Sequence, residues 1–123
     1  MRANARTSEP ESPELVKMRA TAYLDTGNLT YTGKKGHLGI AGASKNHIGQ
    51  TAIVYKRLPG DVLGEVIGIY EIEDTGPAEG AANGFVIDIW QPDMDGCQQF
   101  MNRVYEDGCE GKVFVQFFDD AEG

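Results

Sequence analysis

The chain has 123 residues, which is the length of one domain with a self-sufficient core. Hydrophobic residues make up 41%, and 16 glycines stand against 5 prolines, a composition typical of a turn-rich globular protein. The net charge of -8 argues against nucleic acid or an anionic membrane surface as a partner. No apolar run approaches the ~20 residues of a transmembrane helix.

The first segment is polar and holds two prolines, so residues 1–15 are predicted to be a mobile tail without the apolar stretch of a signal peptide. Runs of strand-forming residues bounded by turn signals then predict strands at 16–24, 38–41, 51–58, 64–73, 85–90 and 112–118. A short extended piece is expected at 29–32, a hairpin turn at Pro59-Gly60-Asp61, and a loop at 75–84. Six strands this short bury their edges best by closing into a small barrel, which we place in a single domain at 16–120.

One helix is predicted over 98–105, with Cys97, Phe100, Met101 and Val104 at the spacing of a buried stripe. A helix of this length holds Cys97 and Cys109 beyond the ~7 Å that a disulfide spans. Two free thiols are therefore expected, with Cys97 in the core. A catalytic cysteine is a poorer alternative because neither histidine is near in sequence.

Two aspartates lie in or against runs of strand-forming residues, Asp74 in Glu73-Asp74-Thr75-Gly76 and Asp88 in Val86-Ile87-Asp88-Ile89-Trp90. A period of two places Asp88 on one face with Val86 and Trp90. An apolar neighbourhood raises the pKa of a carboxyl group toward the range of a general acid. The pair is therefore predicted to perform acid–base chemistry.

Several short motifs, in this order, resemble the bacterial 3D domain, named for three aspartates. They are Ala20-Thr21-Ala22-Tyr23, Leu29-Thr30-Tyr31-Thr32-Gly33, Gly39-Ile40-Ala41, Ile48-Gly49 before Ile53-Val54-Tyr55, Asp74-Thr75-Gly76 and Ile87-Asp88-Ile89-Trp90. That domain is the catalytic barrel of A-type membrane-bound lytic transglycosylases and of stationary-phase survival and spore-associated wall enzymes.

The resemblance implies an all-β, six-stranded double-psi β-barrel with one short helix, acting outside the cell on peptidoglycan. It implies that Asp88 protonates the glycosidic oxygen between N-acetylmuramic acid and N-acetylglucosamine and then accepts the proton of the muramic C6 hydroxyl. The product is a 1,6-anhydro sugar, and Asp74 supports Asp88. The substrate-binding candidates are Thr32, Thr75, Trp90 and Tyr31; neither cofactor nor metal is implied.

The chain departs from the family pattern at two places. No acid stands at Ala43-Ser44, where the first family aspartate is expected, and the family's G-G-A-I-K-G loop is replaced by residues 76–84, which contain no lysine. Oligomeric state stays open between a monomer and a strand-swapped dimer.

Other interpretations remain open. A non-catalytic wall-binding module, like the expansin-like barrels, would stack Trp90, Tyr31 or Tyr23 on sugars. Asp-Thr-Gly occurs twice, at Asp25 and Asp74, but a two-lobed aspartic protease does not fit this length, and Asp25 is more simply a turn residue.

The basic loop offers two further candidates. His37 and His47 lack a third ligand at metal spacing, so zinc is not expected. Lys34, Lys35 and Lys45 are either solvated surface or contacts for the lactyl or peptide carboxylates of peptidoglycan.

Overall fold

The computed structural model describes residues 13–75 and 85–119. Its regular elements, in chain order, are β1 (Val16–Leu24), β2 (Ile40–Ala43), a 3₁₀ turn (Lys45–His47), β3 (Thr51–Leu58), β4 (Val62–Thr75), β5 (Val86–Gln91), α1 (Met94–Tyr105), a second 3₁₀ turn (Glu106–Gly108) and β6 (Lys112–Phe118). The first twelve residues of the predicted tail and residues 76–84 of the predicted loop lie outside the described residues.

The six strands form a closed barrel in the order β1-β5-β2-β4-β3-β6, and β6 pairs with β1 to complete it. Two pairs, β1 with β5 and β2 with β4, are parallel, while the others are antiparallel. The prediction of an all-β six-stranded barrel with one short helix is confirmed. Closure leaves each strand with two neighbours, so the barrel has no free edge.

Alternation along the strands fills the barrel with apolar side chains. In β3, Ala52 and Val54 are completely buried, and in β5 the same holds for Ile87 and Ile89. These residues belong to one core cluster that also includes side chains of α1. The opposite face of β5 carries Asp88, as the period of two predicted.

Helix α1 begins four residues earlier than predicted. Asp93 is its N-cap, and its Oδ1 accepts a hydrogen bond from the Gly96 amide at 2.8 Å, which satisfies a free donor of the first turn. Phe100 and Val104 are buried as expected, whereas Cys97 is only partly buried and Cys109 is fully buried. Both cysteines are free thiols, as predicted.

The expected extended piece at 29–32 is wrong, because this segment forms a turn. The Gly33 amide donates to the Thr30 carbonyl at 2.9 Å, and Gly33 has a φ of 88°, which favours glycine. The hairpin turn at Pro59-Gly60-Asp61 is confirmed, and β4 extends further at both ends than predicted. The β4 extension matters for the site because it brings Asp74 into the sheet.

Lys56 is the one basic side chain among the buried polar residues of the described chain. Its Nζ lies 2.8 Å from Glu106 Oε1 and 2.8 Å from Asp107 Oδ2. These hydrogen bonds raise the pKa of Lys56 above its ordinary value, against the effect of desolvation. The ammonium group therefore stays charged and ties the end of α1 to β3.

Candidate active site

Four residues lie in register across four neighbouring strands. Thr21 of β1 pairs with Asp88 of β5, Asp88 pairs with Gly42 of β2, and Gly42 pairs with Asp74 of β4. Since adjacent strands are about 4.8 Å apart, the Cα atoms of the two aspartates are separated by roughly 10 Å. Gly42, the residue paired with both aspartates, carries no side chain. The structure thus brings together the two acids that the sequence singled out.

Asp88 is a buried carboxyl group, only 5% exposed. Its Oδ1 accepts a hydrogen bond from Thr21 Oγ1 at 2.7 Å. Burial raises the pKa of Asp88, the Thr21 hydrogen bond opposes that rise, and the negative charge of Asp74 adds to it. The net effect is a raised pKa, which is the property required of a carboxylic acid that donates a proton.

Asp74 has a different environment, in which three groups donate hydrogen bonds to its carboxylate. The amides of Tyr31 and Thr75 each lie 3.1 Å from Oδ1, and the Tyr23 hydroxyl lies 3.3 Å from Oδ2. Donors of this kind stabilise an ionised carboxylate. Asp74 is therefore held by three donors, whereas Asp88 has one donor among the described residues, Thr21.

Tyr23 serves as one of those donors. Burial, followed by the charges of Asp74 and Asp88, raises the pKa of its phenol well above the ordinary value. The hydroxyl therefore keeps its proton and donates it in a hydrogen bond to Asp74. The sequence indicates Tyr23 only as a sugar-stacking candidate, not as a partner of Asp74.

Glu73 is a third acid beside the pair, and it is also buried. It accepts hydrogen bonds from Thr32 Oγ1 at 2.7 Å and from Lys34 Nζ at 3.0 Å. Burial raises the pKa of Glu73, but the hydrogen bonds from Thr32 and Lys34 outweigh it, so the pKa is lowered. Glu73 therefore remains ionised and holds the turn at 30–34 against β4.

The predicted substrate-binding residues occupy unlike positions. Tyr31 is 57% exposed beside Asp74, and Thr75 lies next to Asp74 in the chain and is partly buried. Thr32 is exposed, but its hydroxyl is engaged with Glu73. Trp90 is only 7% exposed, and the backbone of Gly36 lies against its indole ring. Tyr31 and Thr75 thus adjoin the acids from outside, while Trp90 is covered.

The position expected for a first family aspartate has a structural use instead. Ala43 is buried in the core, and Ser44 Oγ accepts a hydrogen bond from the Asn46 amide at the start of the 3₁₀ turn. This serine caps the turn that follows β2. The described structure therefore presents two aspartates in the paired row rather than three.

The remaining candidates have local partners. Asp25 Oδ1 accepts the Gly27 amide at 2.9 Å, which confirms it as a turn residue. His37 Nδ1 lies 2.7 Å from the Leu38 carbonyl, and the His47 ring stacks on Phe117 with centroids 3.6 Å apart. Within residues 13–75 and 85–119, no group of three or more His, Cys, Asp or Glu side chains is arranged to hold a metal ion.

Thr21 and Tyr23 are residues of the candidate site that the sequence did not indicate as partners of the acids. Both lie in the segment Ala20-Thr21-Ala22-Tyr23, yet they contact acids that are 67 and 51 residues away in the chain. The parallel pairing of β1 with β5 makes the first contact, and no local pattern specifies it.

No family model matches the chain, and no curated protein matches it either. Among the described residues, no helix is both long and apolar enough to cross a membrane.

Proposed function

We propose that this protein is a peptidoglycan-cleaving lytic transglycosylase, acting outside the cell or in the cell wall, with Asp88 as its acid/base and Asp74 as its supporting carboxylate. The observation that carries the proposal is the buried Asp88 carboxyl group with a raised pKa, in register with a second, hydrogen-bonded aspartate. The resemblance of the motifs to the 3D domain supplies the substrate class.

The reaction needs one carboxyl group to act twice. Protonated Asp88 gives its proton to the oxygen that joins C1 of N-acetylmuramic acid to N-acetylglucosamine, and the C1–O bond breaks as the N-acetylglucosamine hydroxyl leaves. The C6 hydroxyl of the same muramic acid then attacks C1, and its proton passes to the Asp88 carboxylate. The 1,6-anhydro ring forms and Asp88 is protonated again.

Asp74 has two uses in such a reaction. Its negative charge stabilises the positive charge that develops on the sugar ring. It also raises the pKa of Asp88, which favours the protonated form that begins the cycle. Tyr23 and the Tyr31 and Thr75 amides keep Asp74 in place for both purposes.

The first test is product analysis. Purified peptidoglycan is incubated with the wild-type protein, and 1,6-anhydro muropeptides are measured by mass spectrometry. Asp88→Asn is expected to lower the rate by about 10²- to 10⁴-fold, the usual contribution of a general acid–base. Asp74→Asn is expected to lower it by about ten- to a hundredfold, the value of a charged hydrogen-bonding group.

The matched control is Asp95→Asn, because Asp95 is an exposed aspartate on α1. This variant should retain the wild-type rate. Products with ordinary reducing ends would instead indicate a hydrolase in which a carboxylate activates water. Binding without any release of sugar would indicate the second candidate, a non-catalytic wall-binding module, which the exposed Tyr31 beside the acids favours.

A further inference from the structure

The charges of this acidic chain are segregated. Residues 26–60 contain no aspartate or glutamate, yet they hold five of the eleven Lys and Arg residues and both histidines. Part of this segment, the turn at 30–34 and the 3₁₀ turn after β2, lies at the end of the barrel where β2 and β4 run past Asp74. The basic residues of these two turns, Lys34 and Lys45, therefore border the proposed active site, whereas Lys56 and Arg57 are paired with Glu106, Asp107 and Asp61.

The turn that carries Tyr31 is fixed to β4 from two sides. The Tyr31 amide donates a hydrogen bond to Asp74 Oδ1, and the Thr32 amide donates one to the Glu73 carbonyl. Thr32 Oγ1 and Lys34 Nζ bind the Glu73 carboxylate. Lys34 is thereby committed to an internal partner, and the position of Tyr31 beside Asp74 depends on backbone contacts rather than on its own ring.

The Tyr31 ring has one close charged neighbour. Lys45 Nζ lies 5.7 Å from the ring centroid, within the range of a cation–π contact. The ring is 57% exposed and Lys45 is exposed as well. Within the described part of the chain, Lys45 makes no ion pair with a carboxylate. An open aromatic surface and an ammonium group therefore stand together beside Asp74.

We propose that Tyr31 and Lys45 form a binding subsite for a sugar that bears a carboxylate, so that the substrate is an acidic glycan rather than a neutral one. This inference rests on the proposed function for the identity of the glycan. The sugar packs on the exposed part of the Tyr31 ring, and its carboxylate binds Lys45 Nζ. In peptidoglycan, that carboxylate belongs either to the lactyl group of muramic acid or to the stem peptide.

The subsite also explains how an acidic protein binds an acidic polymer. With a net charge of -8, the protein as a whole repels such a ligand. The Lys45 ammonium group reduces that repulsion at the one place where the ligand must approach, and directs the carboxylate away from Asp74. Binding to this subsite is therefore expected to weaken as salt is added.

The test measures binding to the Asp88→Asn protein, so that cleavage does not change the ligand. Three probes of equal length are used: glycan strands with stem peptides, strands stripped of peptide that expose lactyl carboxylates, and chitin oligomers without carboxylates. At least one acidic probe is expected to bind ten or more times tighter than the chitin oligomer. The acidic probe that binds more tightly shows whether the carboxylate bound by Lys45 belongs to the lactyl group or to the stem peptide.

Variants assign the effect to the two side chains. Lys45→Gln should lower the affinity for the preferred acidic probe about five- to tenfold and leave the affinity for the chitin oligomer unchanged. Tyr31→Ala should lower the affinity for all three probes. Tyr31→Phe retains the ring and should bind them as tightly as the Asp88→Asn protein does. Both variants keep the backbone amide that donates to Asp74. Lys112→Gln is the control, because Lys112 is a partly buried lysine on β6 with its own partner, Glu110, at 3.7 Å.

Equal affinity for acidic and neutral probes, or no effect of Lys45→Gln, would overturn the subsite while leaving the transglycosylase proposal intact. Conversely, if wild-type protein releases no anhydro product but the Lys45-dependent preference is present, the catalytic proposal fails and the subsite stands. The two proposals are thus separated by one set of proteins.

Discussion

At the residue scale, the central feature is a carboxyl group that the fold makes unfavourable to ionise. Asp88 is 5% exposed in the barrel wall, and its pKa lies above the ordinary value of 3.8. Burial raises this pKa, the hydrogen bond from Thr21 lowers it, and the charge of Asp74 raises it, so the neutral form is favoured overall. A sheet gains no stability from such a residue at neutral pH. A group that costs stability and has a shifted pKa is a reason to assign function.

The cost predicts how Asp88→Asn changes stability with pH. Since the folded-state pKa is raised, the favourable contribution of Asp88 is complete below pH 3.8 and is lost as the pH rises through the raised pKa. Asparagine is neutral throughout and can still accept the Thr21 hydrogen bond. The free energy of unfolding of Asp88→Asn should therefore exceed that of the wild type at pH 7, and this difference should shrink toward pH 4.

Urea denaturation at pH 7 and at pH 4.5 measures this difference, with Asp95→Asn as the exposed control. Lower stability of Asp88→Asn at pH 7 would mean that the Thr21 bond to the carboxylate outweighs its burial. The expected combination, a more stable and less active protein, is the usual exchange at a catalytic residue.

At the element scale, the sequence predicted best what is local and periodic. The bounds of β1, β3 and β6 agree with the structure because each is a run of seven to nine residues rich in strand-forming apolar side chains. The face on which Asp88 lies followed from the same period. Strand β2 is short and consists of Ile, Ala and Gly, and its position between Asp74 and Asp88 is determined by pairing with strands far along the chain.

The parts of the site that were not predicted are the non-local ones. Thr21 meets Asp88 only because β1 runs parallel to β5, and the turn at 30–34 depends on Glu73 rather than on strand propensity. The sequence offers Trp90 as a sugar-stacking residue, whereas in the structure the loop at Gly36 covers its indole ring. The sequence pattern around Trp90 does not specify that a loop from a distant part of the chain covers its ring.

This covering loop gives a prediction for Gly36→Ala. A Cβ at position 36 would overlap the Trp90 indole, lying 2.7 Å from Cε2, so either the loop or the ring must shift. We expect a loss of about 1–3 kcal/mol in the free energy of unfolding, the usual cost of overpacking. Trp90 is the sole tryptophan, so its emission should move to longer wavelength as the ring becomes exposed.

Lys35→Ala, at an exposed neighbouring position, is the control and should leave both the emission and the stability unchanged. Unaltered emission and stability in Gly36→Ala would show that the loop accommodates the methyl group without uncovering Trp90, and would contradict the prediction.

At the scale of the whole molecule, closure of the barrel couples the site to every strand. The strand order places chain neighbours beside each other at only one of the six pairings, β3 with β4, so the sheet forms largely through distant contacts. Asp88 and Asp74 keep their register only while β2 is held between β5 and β4. The site and the fold are therefore expected to be lost in one cooperative transition.

Val115→Ala tests that coupling from a distance. Val115 is completely buried in β6 and pairs with Val16 on one side and Val54 on the other, away from both aspartates. Removing its methyl groups should lower the free energy of unfolding by about 2 kcal/mol, the sum of lost burial and a small cavity. Trp90 fluorescence on β5 and far-UV circular dichroism should report the same shifted midpoint with an unchanged slope.

Val66→Ala is the control, at a 45% exposed position of β4, and should change the free energy of unfolding by less than about 0.5 kcal/mol. A fluorescence transition that stayed at the wild-type midpoint while the dichroism shifted would mean that the wall carrying the two acids unfolds separately from β6, and that the barrel is not one cooperative unit.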